Sequence, residues 1–327
     1  MASSRPASID KQHFALDLRR YYRDFAIDLG GFVLGFVWLL HAEGVPSTAL
    51  AYLLAVMSIQ RASIFGHDIV HHHQDPRMRN FRLLWDHTVG AISLFPVVRF
   101  HKPHLTHHAR GIFGTAADPQ YLLVRHHPGF AVVVLLLAPL VLPFWSLLQV
   151  IAASLGGTTA EAVIADYLGR RGANTANIPE ERHRREIVAR SRFALVLLLV
   201  LGLLAPEALP WLYLVLAGGW LLLALRIPLE HGLEKLLERP STMQDQLSDS
   251  YTIVSPLADI LQPHGMKYHT AHHLYPIVPY HNLPRLHAEL AAHEPDYRAR
   301  IISLWEAIRG PAQARPATVT GRDTSVV

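Results

Sequence analysis

The chain has 327 residues, half of them apolar and only 17% charged, whereas about a quarter of the residues in soluble domains are charged. The net charge is +4, and the arginines lie beside apolar segments, which favours an anionic membrane surface over nucleic acid as the partner. The absence of cysteine excludes disulfides, a resident iron–sulfur cluster and a cysteine nucleophile.

The N-terminal segment, residues 1–24, is charged, and its first ten residues have the composition of a disordered tail. The first apolar run begins near Phe25, and no small-residue cleavage site follows it, so we expect a retained anchor and no signal peptide. Residues 310–327 are also predicted to be a disordered tail. The membrane domain is expected to occupy residues 25–309.

Five apolar stretches are candidates for the roughly 20-residue length of a membrane-spanning helix. They cover residues 25–42, 47–66, 130–153, 188–205 and 209–228. The short connections after the first and the fourth stretch contain no Lys or Arg, whereas residues 1–24 and 154–192 are rich in arginine. The positive-inside rule therefore predicts two transmembrane hairpins with the arginine-rich segments in the cytoplasm.

The third stretch, 130–153, conflicts with this topology if it crosses the membrane, because it would make the number of crossings odd. A full crossing would move the following arginines to the outside and separate the later histidines from the earlier ones. Pro139 and Pro143 lie near its middle, where proline disfavours regular helix. We therefore predict a re-entrant or interfacial segment, with a full fifth span as the alternative.

The 22 histidines form tight groups. His67 and His71 lie four apart at the predicted cytoplasmic end of the second span, and residues at this spacing share one face of a helix. Two later groups have the spacing i, i+3, i+4, and a single histidine follows the last span. Their members are His104, His107 and His108; His269, His272 and His273; and His231. His101 precedes Pro103 by two residues and is expected to lie outside a helix.

Neutral imidazole is a good ligand for iron, zinc, copper and nickel. Nine such residues on one predicted face exceed what a single ion uses, so we predict a pair of metal ions. The alternative is a set of scattered surface histidines. His72 and His73 are expected near the centre or at the membrane interface. Four others are read as solvated: His13, His41, His183 and His293.

Three histidine boxes stand in order along the chain: HDIVH at 67–71, HLTHH at 104–108 and HTAHH at 269–273. With the isolated Glu230-His231 pair and Asp118-Pro119, they make residues 60–290 similar to the membrane fatty acid desaturase superfamily. The resemblance implies an all-α integral membrane fold, in which four transmembrane helices lie under a cytoplasmic helical cap. It also implies two iron ions on the nine histidines, with O₂ as co-substrate.

No cytochrome b5-like segment is recognisable, so the resemblance implies a separate electron donor of the ferredoxin, rubredoxin or cytochrome b5 type. Three carboxylates adjoin the boxes and are candidates to orient ligand imidazoles: Asp68, Asp118 and Glu230. The alternative for them is pairing with nearby arginines at the membrane surface.

The expected activity is oxygen-dependent desaturation of a fatty acyl chain. The alternative with the same centre is hydroxylation or ketolation of a lipid or terpenoid. A membrane metal-binding or transport protein is the alternative of another class, but a transporter needs polar residues inside its spans, and these spans read as almost purely apolar. The histidine boxes and both termini are predicted to be cytoplasmic.

Overall fold

The computed structural model describes residues 9–121, 128–170, 180–232 and 236–309. The predicted tails, residues 1–8 and 310–327, lie outside them. In chain order, the first seven helices are α1 Leu18–His41, α2 Val45–His71, α3 Arg79–Trp85, α4 Val97–His107, α5 Pro128–Arg170, α6 Glu181–Leu204 and α7 Ala208–Glu230. The remaining helices are short: α8 Met243–Asp249, α9 Ala258–Leu261, α10 His269–Leu274, α11 Leu283–His293, α12 Pro295–Arg298 and α13 Leu304–Arg309. The strands β1 Thr252–Ile253 and β2 Ile301–Ile302 have two residues each and pair in parallel. The all-α fold class is confirmed.

The helices α1 and α2 form the first hairpin, and α6 and α7 form the second. Helix α1 begins at Leu18, earlier than predicted, because the Asp17 carboxylate accepts hydrogen bonds from the first backbone amides of the helix. Gly44 turns the chain with φ +75°, and Pro46 lies in the first turn of α2. Large apolar side chains on these helices face outward, as Leu34 and Leu203 do with 64% and 83% exposure, which suits lipid and not water.

The first two spans contain a buried polar network, which the sequence analysis did not predict. The buried carboxylate of Asp28 in α1 accepts from Arg61 Nε of α2 at 2.8 Å. Its other oxygen lies 2.6 Å from His264 Nε2, which belongs to the segment after α9. Polar groups inside a span are tolerated when they pair with one another. This three-residue network therefore fastens the first hairpin to the C-terminal part of the chain.

The third apolar stretch forms α5, which is much longer than the predicted 130–153. Pro139 and Pro143 lie inside this helix, so the expected interruption at the prolines is wrong. The helical backbone is interrupted instead at Gly157, whose φ of 60° and ψ of −150° suit glycine. Among the residues that the structure describes, five helices are long and apolar enough to cross a membrane, including Leu137–Ile164 of α5.

The direction of α5 follows from its contacts. The Tyr213 hydroxyl, near the start of α7, donates to the Leu140 carbonyl. Further along, Glu161 accepts from Arg99 of α4 at 2.6 Å. Between these points α5 therefore runs from the start of α7 towards the histidine-bearing helix α4. Residues 122–127, which lead into α5, lie outside the described ranges, so the choice between a re-entrant segment and a full span stays a prediction.

Residues 236–309 form a layer of short helices, here called the cap, next to the ends of α2 and α7. Its own core is built by apolar residues of α10 to α12, among them Ala271, Leu286 and Tyr297. The chain before α1 packs on this layer: His13 Nε2 lies 2.6 Å from Glu289, and the Asn282 amide donates to the His13 carbonyl at 3.0 Å. The reading of His13 as solvated is therefore wrong, because the cap covers it.

Candidate metal centre

The first box lies on the last turn of α2. Because α2 is helical as far as His71, His67 and His71 share a face and their ring centroids lie 5.1 Å apart. Both side chains point towards α4 and α10, as their contacts with His104 and His272 show. The first box thus reaches the centre from a helix of the membrane region.

The second box lies on the last turn of α4, which continues through Pro103 and contains His101. The expectation that His101 lies outside a helix is therefore wrong. His104 and His107 belong to the helix, and His108 is its C-cap with α-helical backbone angles. The i, i+3, i+4 spacing therefore places three imidazoles on the same side, as predicted.

The third box occupies α10, and His231 follows the last residue of α7 in an extended conformation. His231 Nε2 and His269 Nε2 lie 2.9 Å apart, and His269 Nε2 is 3.0 Å from His273 Nε2. His272 Nε2 lies 3.1 Å from His108 Nε2 of the second box. The cap therefore brings the third box against the ends of both hairpins.

All nine predicted histidines meet in one place. In two groups, the ring nitrogens all lie within 4.8 Å of one another. The first group is His67, His71, His104, His108 and His272, and the second is His107, His231 and His273, with His269 beside it. The arrangement has the form expected for two neighbouring ions, and the reading as scattered surface histidines is wrong.

The electrostatics of the centre suit cations. Burial, and after it the neighbouring imidazoles, lower the pKa of His104, His108 and His272 well below the usual value, so these rings are neutral. Several buried ring nitrogens, including His67 Nε2, have no hydrogen-bond partner among the described residues. Converging lone pairs without protons or partners are costly to bury unless a cation accepts them. The donor set therefore fits metal ions that favour nitrogen ligands.

Asp118 orients one of these imidazoles. Its fully buried carboxylate accepts from His107 Nδ1 at 2.9 Å, which turns Nε2 towards the centre. The backbone amides of Gly114 and Gln120 hold the same carboxylate at 2.8 and 3.0 Å. The loop after α4 therefore fixes the rotation of the ring.

The two other predicted carboxylates have different partners. Glu230 pairs with Arg226 at 2.8 Å, and its distance to His269 Nδ1 is 3.9 Å, too long for a hydrogen bond. Asp68 accepts from the Tyr21 hydroxyl and from the Tyr280 amide. Glu230 therefore pairs with an arginine, which was the alternative given for it. Asp68 joins α1, α2 and the segment after the third box.

Two orienting residues were missed by the sequence reading. Gln120 Oε1 lies 2.8 Å from His104 Nδ1, and the Asp249 carbonyl lies 3.3 Å from His231 Nδ1. Gln120 follows Asp118 by two residues, so the signal for it was its place in the same loop. Asp249 ends α8 far along the chain, and its part could not be read from spacing.

A second group of histidines lies one turn away from the centre. The rings of His73 and His101 have centroids 3.8 Å apart, and His183 lies 5.3 Å from His101. Burial, and after it the positive groups nearby, lower the pKa of His101 to about 4. His183 is only 9% exposed. The reading of His183 as solvated is therefore wrong, whereas His41 and His293 are exposed as predicted.

The apolar helices and the histidine-lined centre define a multi-pass membrane protein with a candidate metal centre. A family profile described as fatty acid desaturase matches residues 43–305, and the chain belongs to this family. It is also similar to a ceramide hydroxylase of Caulobacter vibrioides (strain NA1000 / CB15N). The two chains are 29% identical over 296 residues, which cover 83% of this chain and 80% of the relative.

Proposed function

We propose that this protein oxidises the hydrocarbon chain of a membrane lipid with O₂ at a centre of two iron ions. The observation that carries the proposal is the meeting of nine imidazoles, eight of them in two adjoining groups and His269 beside the second. Iron bound there would supply the reduction of O₂ and an oxidant able to take hydrogen from an unactivated carbon, which no side chain can do.

The protein's own residues hold and shield the centre. Four helices deliver the ligands, and Asp118 and Gln120 fix the rotation of two rings of the second box. His104, His107 and His272 are each at most 4% exposed, so bulk water has little access. Rigid ligand geometry and exclusion of water are what the protein contributes when a cofactor performs the chemistry.

We favour hydroxylation of an acyl chain, with a ceramide-like lipid as the substrate class, because the similar Caulobacter protein is named a ceramide hydroxylase. Desaturation of a fatty acyl chain, the outcome expected from the sequence, is the second candidate and is favoured by the name of the family. Both outcomes require hydrogen abstraction from an alkyl carbon. They differ in whether oxygen is then added or a second hydrogen is removed.

Both reactions consume two electrons from outside the substrate for each O₂ reduced to the level of water. The chain has no cysteine to bind an iron–sulfur cluster. We therefore assign the electrons to a separate ferredoxin, rubredoxin or cytochrome b5 type of protein. We also propose that the centre and both termini lie on the cytoplasmic side, where such donors are reduced; the arginines before α1 and before α6 support this orientation.

Lipid mass spectrometry of cells with and without the protein tests the proposal, with isotopically heavy O₂ supplied to the culture. Hydroxylation adds one heavy oxygen atom to a lipid, whereas desaturation removes two hydrogen atoms and leaves the label in water. A lipid pool unchanged by a protein that carries iron would contradict both reactions and would favour metal binding or transport.

A further inference from the structure

A polar cavity lies beside the metal centre, around the second group of histidines. Its volume is about 320 Å³, and its polar lining comes from the chain after α2 and from α3, α4 and α6. The six polar residues are His73, Arg82, His101, Arg182, His183 and Glu186. Apolar residues such as Val70 and Val97 line the rest. The cavity is far larger than one water molecule needs.

The charged groups of this lining are two guanidinium groups and one carboxylate, that of Glu186. The three imidazoles add hydrogen-bonding nitrogen atoms. Arg82 is only 28% exposed and lies 3.6 Å from Glu186, while Arg182 is 75% exposed at the mouth of the cavity. The ion pair between Arg82 and Glu186 is too long for a hydrogen bond, and Arg182 lies 3.8 Å from Glu180, which is outside the lining and 66% exposed.

Several polar atoms of the cavity lining lack a hydrogen bond to any residue that the structure describes. Arg82 Nε, Glu186 Oε1 and both ring nitrogens of His101 are buried, and none has a hydrogen bond to any residue that the structure describes. Buried polar groups are normally hydrogen-bonded, so an unpaired set around a cavity indicates a bound polar group. Arg82 lies on α3 and His101 on α4, so the unpaired nitrogen atoms come from two different helices.

The chemistry of these donors selects among ligands. Two guanidinium groups repel a metal cation, and the nitrogens of these three histidines are not among the described groups that converge within 4.8 Å. Arginine donors arranged around a common space match the several oxygens of a phosphate group. The position of the cavity favours a lipid as the source of the phosphate, because Arg182 and His183 lie at the start of α6, whose apolar part further along the helix is a candidate membrane span.

We infer that this cavity binds the phosphate group of a phospholipid from the leaflet next to the metal centre. Arg82 and the imidazoles of His101 and His183 contact the phosphate, and Arg182 closes the mouth over it. Glu186 opposes the anion and limits its affinity. The site does not depend on the proposed lipid oxidation, since neither iron nor turnover is needed for the phosphate to bind.

The test measures binding to the purified, delipidated protein in a neutral detergent, with short-chain phosphatidylglycerol and inorganic phosphate as separate probes. We expect the phospholipid to bind, and the variant Arg82→Gln/Arg182→Gln to bind it at least about tenfold more weakly. His183→Gln should also weaken binding. Arg185→Gln is the matched control, because Arg185 lies on the same helix, is 76% exposed and pairs with Glu181.

Glu186→Gln separates an anion site from a metal site. Removing this carboxylate should tighten phospholipid binding, whereas a metal site would lose a ligand. Equal affinity in the double arginine variant and the control, or zinc binding that competes with the phospholipid, would overturn the inference. Arginine-dependent binding of inorganic phosphate as tight as that of the phospholipid would overturn the lipid source. Iron content and gel-filtration behaviour show whether each variant is folded.

Discussion

The nine histidines share one property, which is an imidazole ring close to a common space. Their spacing of three and four residues makes each box present its imidazoles on one side of a helix. Burial lowers the pKa of His104 and His272, so the lone pairs of these rings stay available. Each ring therefore has a place that no other side chain of similar size can fill.

Replacing one histidine in the second box and one in the third box tests whether these residues bind the metal. His107→Ala and His272→Ala should each lower bound iron and reduce lipid oxidation by more than about 100-fold, since the loss of a ligand exceeds the 10- to 100-fold cost of losing an orienting partner. Membrane insertion should be unchanged. Iron analysis of the purified protein and lipid mass spectrometry give the two readouts, and His293→Ala, which alters an exposed residue, serves as the control.

The contact between Asp118 and His107 gives a second prediction. Asp118→Asn keeps the size of the side chain but removes the charge that holds His107 Nδ1 at 2.9 Å. We expect iron affinity or activity to fall roughly 10- to 100-fold. Iron loss during a titration with a chelator measures the affinity directly. Asp75→Asn, which alters an exposed pair with Arg77, should leave it unchanged.

At the scale of the element, the hairpin of α1 and α2 depends on close contact between two helices. A Cβ atom added at Gly35 would lie 2.7 Å from the Ala55 backbone nitrogen, whereas one added at Gly30 would meet nothing within 4 Å. Small residues allow membrane helices to approach in this way. The hairpin carries the first box at its end, so its packing also positions His67 and His71.

The two glycines form a matched pair for mutation. Gly35→Ala should destabilise the protein by about 1–3 kcal/mol, because the added methyl group meets backbone that cannot move aside. Gly30→Ala should leave stability unchanged or raise it, since alanine favours the helix. Thermal unfolding of the two variants in detergent compares them. Equal melting temperatures would show that α1 and α2 are packed less closely than described.

At the scale of the whole molecule, the cap joins parts of the chain that lie far apart. The first box ends α2, and the third box begins α10, about two hundred positions later. The network of Asp28, Arg61 and His264 and the contact of His13 with Glu289 hold this layer against the first hairpin and the chain before it. The metal centre is therefore a product of the assembled fold and not of any single segment.

The orientation in the membrane can be tested directly because the chain has no native cysteine. Glu43→Cys and Glu207→Cys, in the connections of the two hairpins, should react with a membrane-impermeant maleimide on intact cells. Ala292→Cys on α11 should react only after the cells are permeabilised. Labelling of Ala292→Cys from outside would place the cap, and the centre with it, on the other side of the bilayer.

The sequence by itself determined the helical class, and it indicated the apolar helices and the nine histidines as candidates, because apolar length and the spacing of residues on a helix are local properties. The part of Asp249 and the burial of His13 and His183 were decided only by the tertiary structure. Each of these depends on a contact between segments distant in sequence, such as the chain after α7 and the end of α8. A residue's neighbours along the chain carry no information about such contacts, since packing of the cap against both hairpins creates them.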